Sequence, residues 1–215
     1  MIEKVVEYTL NNSSIIANQT WVHLQITGTA VLLATLIAVP IGILLTRFER
    51  ISAFVIGLVG ILQTIPSLAL LAIMIPFLGI GFRPAVMALF LYSLLPIVRN
   101  TYTGVKGVTP GLVEAATGLG MTKLQVLLKV QVPIALPVII AGIRTATVIC
   151  VGTATLAALI GSGGLGSLIY RGLQQLNNTL IITGALFSAL LALTLDFGLG
   201  TFEKLVTSKG LVRDN

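Results

Sequence analysis

The chain has 215 residues, of which 56% are hydrophobic and 9% charged, with a net charge of +6 and a mean hydropathy of +1.04. Soluble domains carry about a quarter charged residues, so these proportions exclude a water-dispersed globule and indicate an all-α integral membrane protein. A single histidine and a single cysteine leave no disulfide framework, no second metal ligand beside His23, and no Ser/His/Asp or Cys/His catalytic set.

A crossing helix needs about 20 mostly apolar residues. Residues 1–19 do not qualify, because Glu3, Lys4, Glu7 and the polar run from Asn11 to Ser14 make an exposed extracytoplasmic leader. They also lack the basic start of a signal peptide. A first span is predicted over 20–46, with Trp21 and His23 as interfacial anchors. Arg47, Glu49 and Arg50 form a charged turn. A second span over 52–77 is interrupted by Gln63-Thr64-Ile65-Pro66-Ser67, and Gly79, Gly81 and Pro84 break the chain after it. The third span is predicted over 85–98, the fourth over 133–160 and the fifth over 179–201. Between them, 99–132 is too polar and glycine-rich to cross, and 161–178 is a loop of glycines and amides.

Five spans put the termini on opposite sides. Arg47, Arg50, Arg99, Lys106, Lys123, Lys129, Lys204, Lys209 and Arg213 fall on one side, against Lys4, Arg83 and Arg171 on the other. Positive charge marks the cytoplasmic side, so the N-terminus is expected outside and the C-terminus inside. The basic pI of about 9.8 is thereby a topology signal, and no nucleic-acid partner is implied.

Within the cytoplasmic loop, Pro110 opens a short helix over 112–119, stopped by Gly118 and Gly120. Thr122 then caps a second helix over 123–130, with Leu124, Leu127 and Leu128 on one face. By periodicity alone this is an amphipathic helix–turn–helix lying on the inner membrane surface. Its residues resemble the cytoplasmic "EAA" signature of ABC importer permeases. Glu114-Ala115-Ala116 is followed after three residues by Gly120, and after nine more by Val130-Gln131-Val132-Pro133. Val130 and Val132 stand where that pattern has Ile and Leu, which keeps the apolar character.

The resemblance implies a type I ABC importer permease fold: five transmembrane helices with a cytoplasmic coupling helix, in a domain spanning 20–205 followed by a cytoplasmic tail over 206–215. It implies that Glu114, Ala115, Ala116, Gly118, Leu119, Gly120 and Met121 dock on a separate ATPase subunit. Ala115 and Ala116 permit close approach, and Glu114 offers a charge-assisted hydrogen bond. The implied partners are a second permease chain, identical or homologous, two ATP-binding subunits that hold ATP and Mg, an extracytoplasmic solute-binding protein, and the lipid of a bacterial plasma membrane. Further stretches, 63–70, 142–147 and 161–166, resemble the permeases of osmoprotectant importers for glycine betaine, carnitine and choline.

Gly161, Gly163 and Gly166 fit G-x-G-x-x-G, but without a βαβ unit this is a tight turn rather than a dinucleotide site. The resemblance implies that this loop, with Gly164, forms the external gate. No G-x-x-x-x-G-K-[ST] occurs, so the chain cannot cradle ATP phosphates, and no catalytic residue is assigned. Polar residues within spans mark pathways because lipid burial is costly. Gln63, Thr64 and Ser67 in the second span, Tyr92 and Ser93 in the third, and Thr153 in the fourth are the candidates. Helix packing is the competing reading for the threonines.

Arg144 and Asp196 are the two charges within spans. A rise of 1.5 Å per residue puts them about 16 Å and about 10 Å above the inner face. Either they pair between the fourth and fifth spans, or each reaches the cytoplasmic vestibule separately. An ion-coupled secondary transporter is disfavoured, since it calls for inverted repeats and an acidic residue near the midplane. A scaffold without transport would not need proline-broken polar spans. Within the resemblance, another small solute such as an amino acid is the alternative cargo.

Overall fold

The computed structural model describes residues 1–206. The expected tail lies outside that range except for Val206, as do Lys209 and Arg213. Among the described residues every regular element is helical.

Helix α1 (Ile2–Asn11) and helix α2 (Ser13–Leu45) occupy the stretch that the sequence left as an exposed leader plus first span. The leader folds because Val5, Tyr8 and Ile16 recur at near-helical spacing on one side. Ile16 and Tyr8 pack against Leu165, Leu168 and Leu180 from the far end of the chain. Along α2, Ala30, Ala34, Ala38 and Gly42 make a stripe of small buried residues every fourth position. Hydrocarbon gives helices no hydrophobic reason to associate, so close backbone approach must supply the packing. At Gly42 a side-chain carbon would stand 2.6 Å from Thr101.

The second crossing is broken. Helices α3 (Glu49–Thr64) and α4 (Ser67–Leu78) meet at 95°. Pro66 has no N–H to continue α3 and pushes the residue before it out of helical geometry; Ile65 is extended at φ −70°, ψ 127°. Neither half is long enough to cross alone, at about 24 Å and about 18 Å by helical rise. Joined, the two are long and apolar enough for one broken span. Glu49 at the start of α3 pairs with Lys106 at the end of α5 (Phe82–Lys106). Gly81, just before α5 begins, donates its N–H to the Ile160 carbonyl at 2.8 Å.

Helix α5 runs past the predicted limit of the third span. Thr101, Gly104 and Val105 are buried, so the polar end of this helix is held by packing rather than by lipid. Helices α6 (Pro110–Gly118) and α7 (Lys123–Val126) follow. The chain then passes through a π-helical turn, Leu127–Gln131, directly into α8 (Val132–Ala157). The second amphipathic helix is therefore continuous with the fourth span, where the sequence suggested a separate surface helix. Pro133 explains the π turn: it cannot donate to the carbonyl four residues back, and Val132 reaches Leu127 instead.

A short 3₁₀ turn, Ala158–Ile160, leads to helix α9 (Gly166–Gln174) and then α10 (Asn178–Val206). The sequence read 161–178 as loop. Helix α9 forms there because Leu168 and Gly172 turn inward onto its neighbours while Arg171 faces out. Helices α2, α5 and α8 make the centre of the bundle, with α10 against α8 and α9. Outward faces carry exposed Leu36, Phe54, Leu58, Leu193 and Phe197, a surface suited to hydrocarbon.

Candidate functional site

Arg47, Lys106 and Lys123 line one cleft where α2, α5 and α7 meet, at an end of the bundle termed here the basic end. Two turns of helix are displayed there. Pro110 occupies the first turn of α6, where a missing N–H costs nothing. The helix is closed by Gly120 in the left-handed region at φ +83°. Gly120 N–H donates to Thr117 and Met121 N–H to Ala116, the paired bonds of a Schellman stop. Two residues on, Thr122 and Gln125 form a reciprocal capping box at the start of α7, at 3.3 Å and 2.8 Å. Both ends of the turn are thus fixed by local chemistry, and Arg47 anchors it by donating to the Lys123 carbonyl.

The exposed face of this unit consists of Glu114, Ala115, Gly118, Leu119 and Gly120, with Met121 half-buried. Leu119 is 84% exposed at the tip. Ala116 turns inward and is buried against its own chain. Its small size serves internal packing, which corrects the expectation that both alanines face a partner.

At the opposite end the glycine loop is held by a residue that the sequence placed at the membrane interface. His23 is fully buried. Its Nδ1 accepts from the Leu165 N–H at 3.2 Å, and its Nε2 lies 3.1 Å from the Val151 carbonyl. A backbone N–H can only donate, so Nδ1 is unprotonated and Nε2 carries the hydrogen. Gly161, Gly163 and Gly164 all adopt positive φ, at +77°, +78° and +81°. Gly166 is different: a side-chain carbon there would stand 2.0 Å from the Thr155 carbonyl oxygen. The Ser167 hydroxyl lies 2.6 Å from the Gly164 carbonyl and 3.0 Å from the Gln19 side chain, and so brings the loop against α2.

Four of the pathway candidates gather around the break in the second crossing. Gln63 Nε2 donates to the Tyr92 carbonyl at 2.8 Å, and the Tyr92 hydroxyl donates to the Ile65 carbonyl. Each side chain thus satisfies backbone on the other helix, and the Tyr92 contact falls on the carbonyl beside Pro66. Thr64 is exposed and bonds back to Ile61 at 2.7 Å, while Ser67 is half-buried at the start of α4. Ser93 is elsewhere. It is fully buried between α5 and α8, bonding Leu89 at 2.9 Å and lying 3.0 Å from Cys150 Sγ. That position corrects its assignment to a pathway wall. Thr153 is half-buried on α8.

The intraspan charges are joined. Arg144 donates through Nε and one terminal nitrogen to the two Asp196 oxygens, at 3.0 Å and 2.9 Å. Its other terminal nitrogen reaches Glu203 at 3.0 Å. Asp196, Gly200 and Glu203 share one face of α10, and the guanidinium lies across Gly200 at 3.1 Å from where a side-chain carbon would be. The sequence reading missed Glu203 and Gly200 as members of this group. Their spacing from Asp196, seven and four residues, was the available signal.

Residues 16–208 match the family model for the binding-protein-dependent transport system inner membrane component. The chain belongs to that family. It is 47% identical over 210 residues to the carnitine transport permease protein OpuCB of Listeria monocytogenes, covering 98% of this chain and 96% of the relative. It is 46% identical over 209 residues to the choline transport system permease protein OpuBB of Bacillus subtilis (strain 168), covering 97% and 96%. An inward-facing structure of the MetNI methionine ABC transporter has a chain that superposes with a TM-score of 0.81. That match has 25% identity and covers 90% of this chain and 96% of the other.

The protein is therefore a permease subunit of an ABC importer, with an all-helical membrane fold. Within this permease, no group of His, Cys, Asp or Glu among the described residues is arranged to hold a metal. Cys150 is buried beside Ser93. The described residues thus present a capped exposed turn at one end, a histidine-clamped loop at the other, and a sharply bent helix pair between.

Proposed function

We propose that this permease works as one of a pair of such chains, identical or homologous, in an importer for a small quaternary-ammonium osmoprotectant: glycine betaine, carnitine or choline. Two ATP-binding subunits supply ATP and Mg, and an extracytoplasmic solute-binding protein delivers the cargo. The N-terminus lies outside and the C-terminus in the cytoplasm, in keeping with the excess of Lys and Arg at the basic end.

The observation that carries this reading is the near-full-length match to permeases named for carnitine and choline at 46–47% identity. The methionine importer is a more distant relative by sequence, so an amino acid is the weaker alternative. Transport proceeds by alternating access. Glu114, Ala115, Gly118, Leu119, Gly120 and Met121 present the surface on which the ATPase docks. The α7–α8 continuity carries its movement into the fourth span. ATP drives the cycle because it binds the two conformations of the assembly with different affinity. Around the break at Ile65 and Pro66, Gln63, Thr64 and Ser67 supply polar groups to the pathway, with Thr153 contributing from α8. The glycine loop from Gly161 to Gly166 serves as the external gate.

The test is uptake of labelled choline, carnitine and glycine betaine by cells that lack other systems for them and express this permease with its partner subunits. Saturable uptake of at least one, not displaced by excess methionine, is the expected result. Uptake of an amino acid and of none of the three contradicts the solute assignment.

A further inference from the structure

We propose that the basic end of the permease holds an anionic phospholipid, its headgroup against Arg47 and Lys123 and an acyl chain in the apolar groove beside them. Two adjoining clefts share these two cations. One, of about 440 Å³, is lined by Thr46, Lys106, Thr117 and Gln131 as well as Arg47 and Lys123, with Val113 and Val126 completing its wall. The other, of about 550 Å³, is lined by Pro40, Ile43, Leu44, Leu124, Leu127 and Leu128 beside the same two cations. No carboxylate lines either cleft.

The charge balance at this place favours an anion. Lys106 is paired with Glu49. Arg47 gives one terminal nitrogen to the Lys123 carbonyl and keeps further donors of its five. Among the described residues no ion pair involves Arg47 or Lys123. Leu44, Leu124 and Leu128 are more than half exposed, so the groove stands open for occupation. An apolar groove alone accepts any acyl chain, and a basic cleft alone attracts any anion. Their junction at the end of α2, where the hydrophobic span gives way to charge, selects an amphiphile with an anionic head. An anionic phospholipid has both parts and is already present in the surrounding bilayer. Because Lys123 opens α7, the bound lipid touches the segment that joins the docking helix to the fourth crossing.

The test uses the assembled transporter in mild detergent and counts retained lipid by native mass spectrometry, with phosphatidylglycerol and phosphatidylcholine offered separately. Phosphatidylglycerol is expected to be held in preference. Each lost cation is expected to weaken it about 5-fold, so Lys123→Gln lowers the affinity by about that factor and Arg47→Gln with Lys123→Gln by about 25-fold. Leu124→Glu places a carboxylate in the groove without removing either cation and is expected to abolish retention. Arg83→Gln, at the other end of the bundle, is expected to leave it unchanged. Equal retention of the two lipids by the unaltered transporter overturns the proposal, as does equal loss with Arg83→Gln. Displacement of the lipid by inorganic phosphate at matched ionic strength also overturns it, since that reduces the site to an anion patch.

Discussion

His23 satisfies one donor and one acceptor of the backbone, on two different elements, with a single neutral ring. The loop that it clamps contains two glycines that are glycine for separate reasons. Gly161 has a left-handed backbone and no atom within 4 Å of a built side-chain carbon. Alanine there costs only the conformational penalty, about 1 kcal/mol. Gly166 lies against the Thr155 carbonyl, and backbone cannot yield as a flexible side chain does. Thermal unfolding of the purified permease is expected to show Gly166→Ala lowering the midpoint well beyond Gly161→Ala. The reverse order contradicts the close-approach account. Residue type gave no hint of the difference, since both positions read as glycine in a turn-rich stretch. His23 was equally opaque, because its partners lie 128 and 142 residues away and are backbone groups, which leave no mark on sequence.

At the scale of elements, the broken crossing shows how a proline interruption becomes a defined structure. Pro66 was visible as a breaker, and the polar run around it was legible as unusual. What the sequence did not contain was the 95° angle, nor the two bonds that tie Gln63 and the Ile65 carbonyl, at the end of α3, to Tyr92 on α5. Tyr92→Phe keeps the ring and removes the bond to the Ile65 carbonyl. It is expected to cost about 1 kcal/mol in unfolding experiments and to alter uptake more than the loss of stability alone explains. Full retention of both stability and uptake would contradict a role for that bond in holding the bend. The capped turn between α6 and α7 was more readable. Its proline start, glycine stop and threonine cap are local signals, and the structure forms each as a specific set of hydrogen bonds. Continuity of α7 with α8 was not readable, because the π turn that allows it is a response to Pro133 rather than a pattern of its own.

For the whole molecule, the hydropathy pattern marked four helices long and apolar enough to cross a membrane and the bent pair α3–α4 between them, and most of the basic residues lie toward one end of the bundle. The limits of the spans were less accurate where packing rather than lipid decides, as at the end of α5 and in α9. Helical rise set the approximate height of Arg144 and Asp196 along their helices but not their direction around the axis, so pairing could not be chosen. In the structure they link α8, which continues from α7, to α10. Reversing either charge alone is expected to impair assembly or uptake. Exchanging the two, Arg144→Asp with Asp196→Arg, is expected to recover part of the loss, incompletely because Glu203 then faces a carboxylate. A double exchange as impaired as the worse single change would remove the pair from the account.

The central claim is that this permease takes its energy from a separate ATPase through the exposed turn at the basic end. The direct measurement is copurification of the ATPase subunit with tagged permease, unaltered and carrying Glu114→Arg, alongside uptake in the same cells. The account predicts that the ATPase accompanies the unaltered chain and that Glu114→Arg weakens this association and uptake together, while the permease still reaches the membrane. A permease that repeatedly emerges alone, with uptake intact in the Glu114→Arg variant, would contradict it.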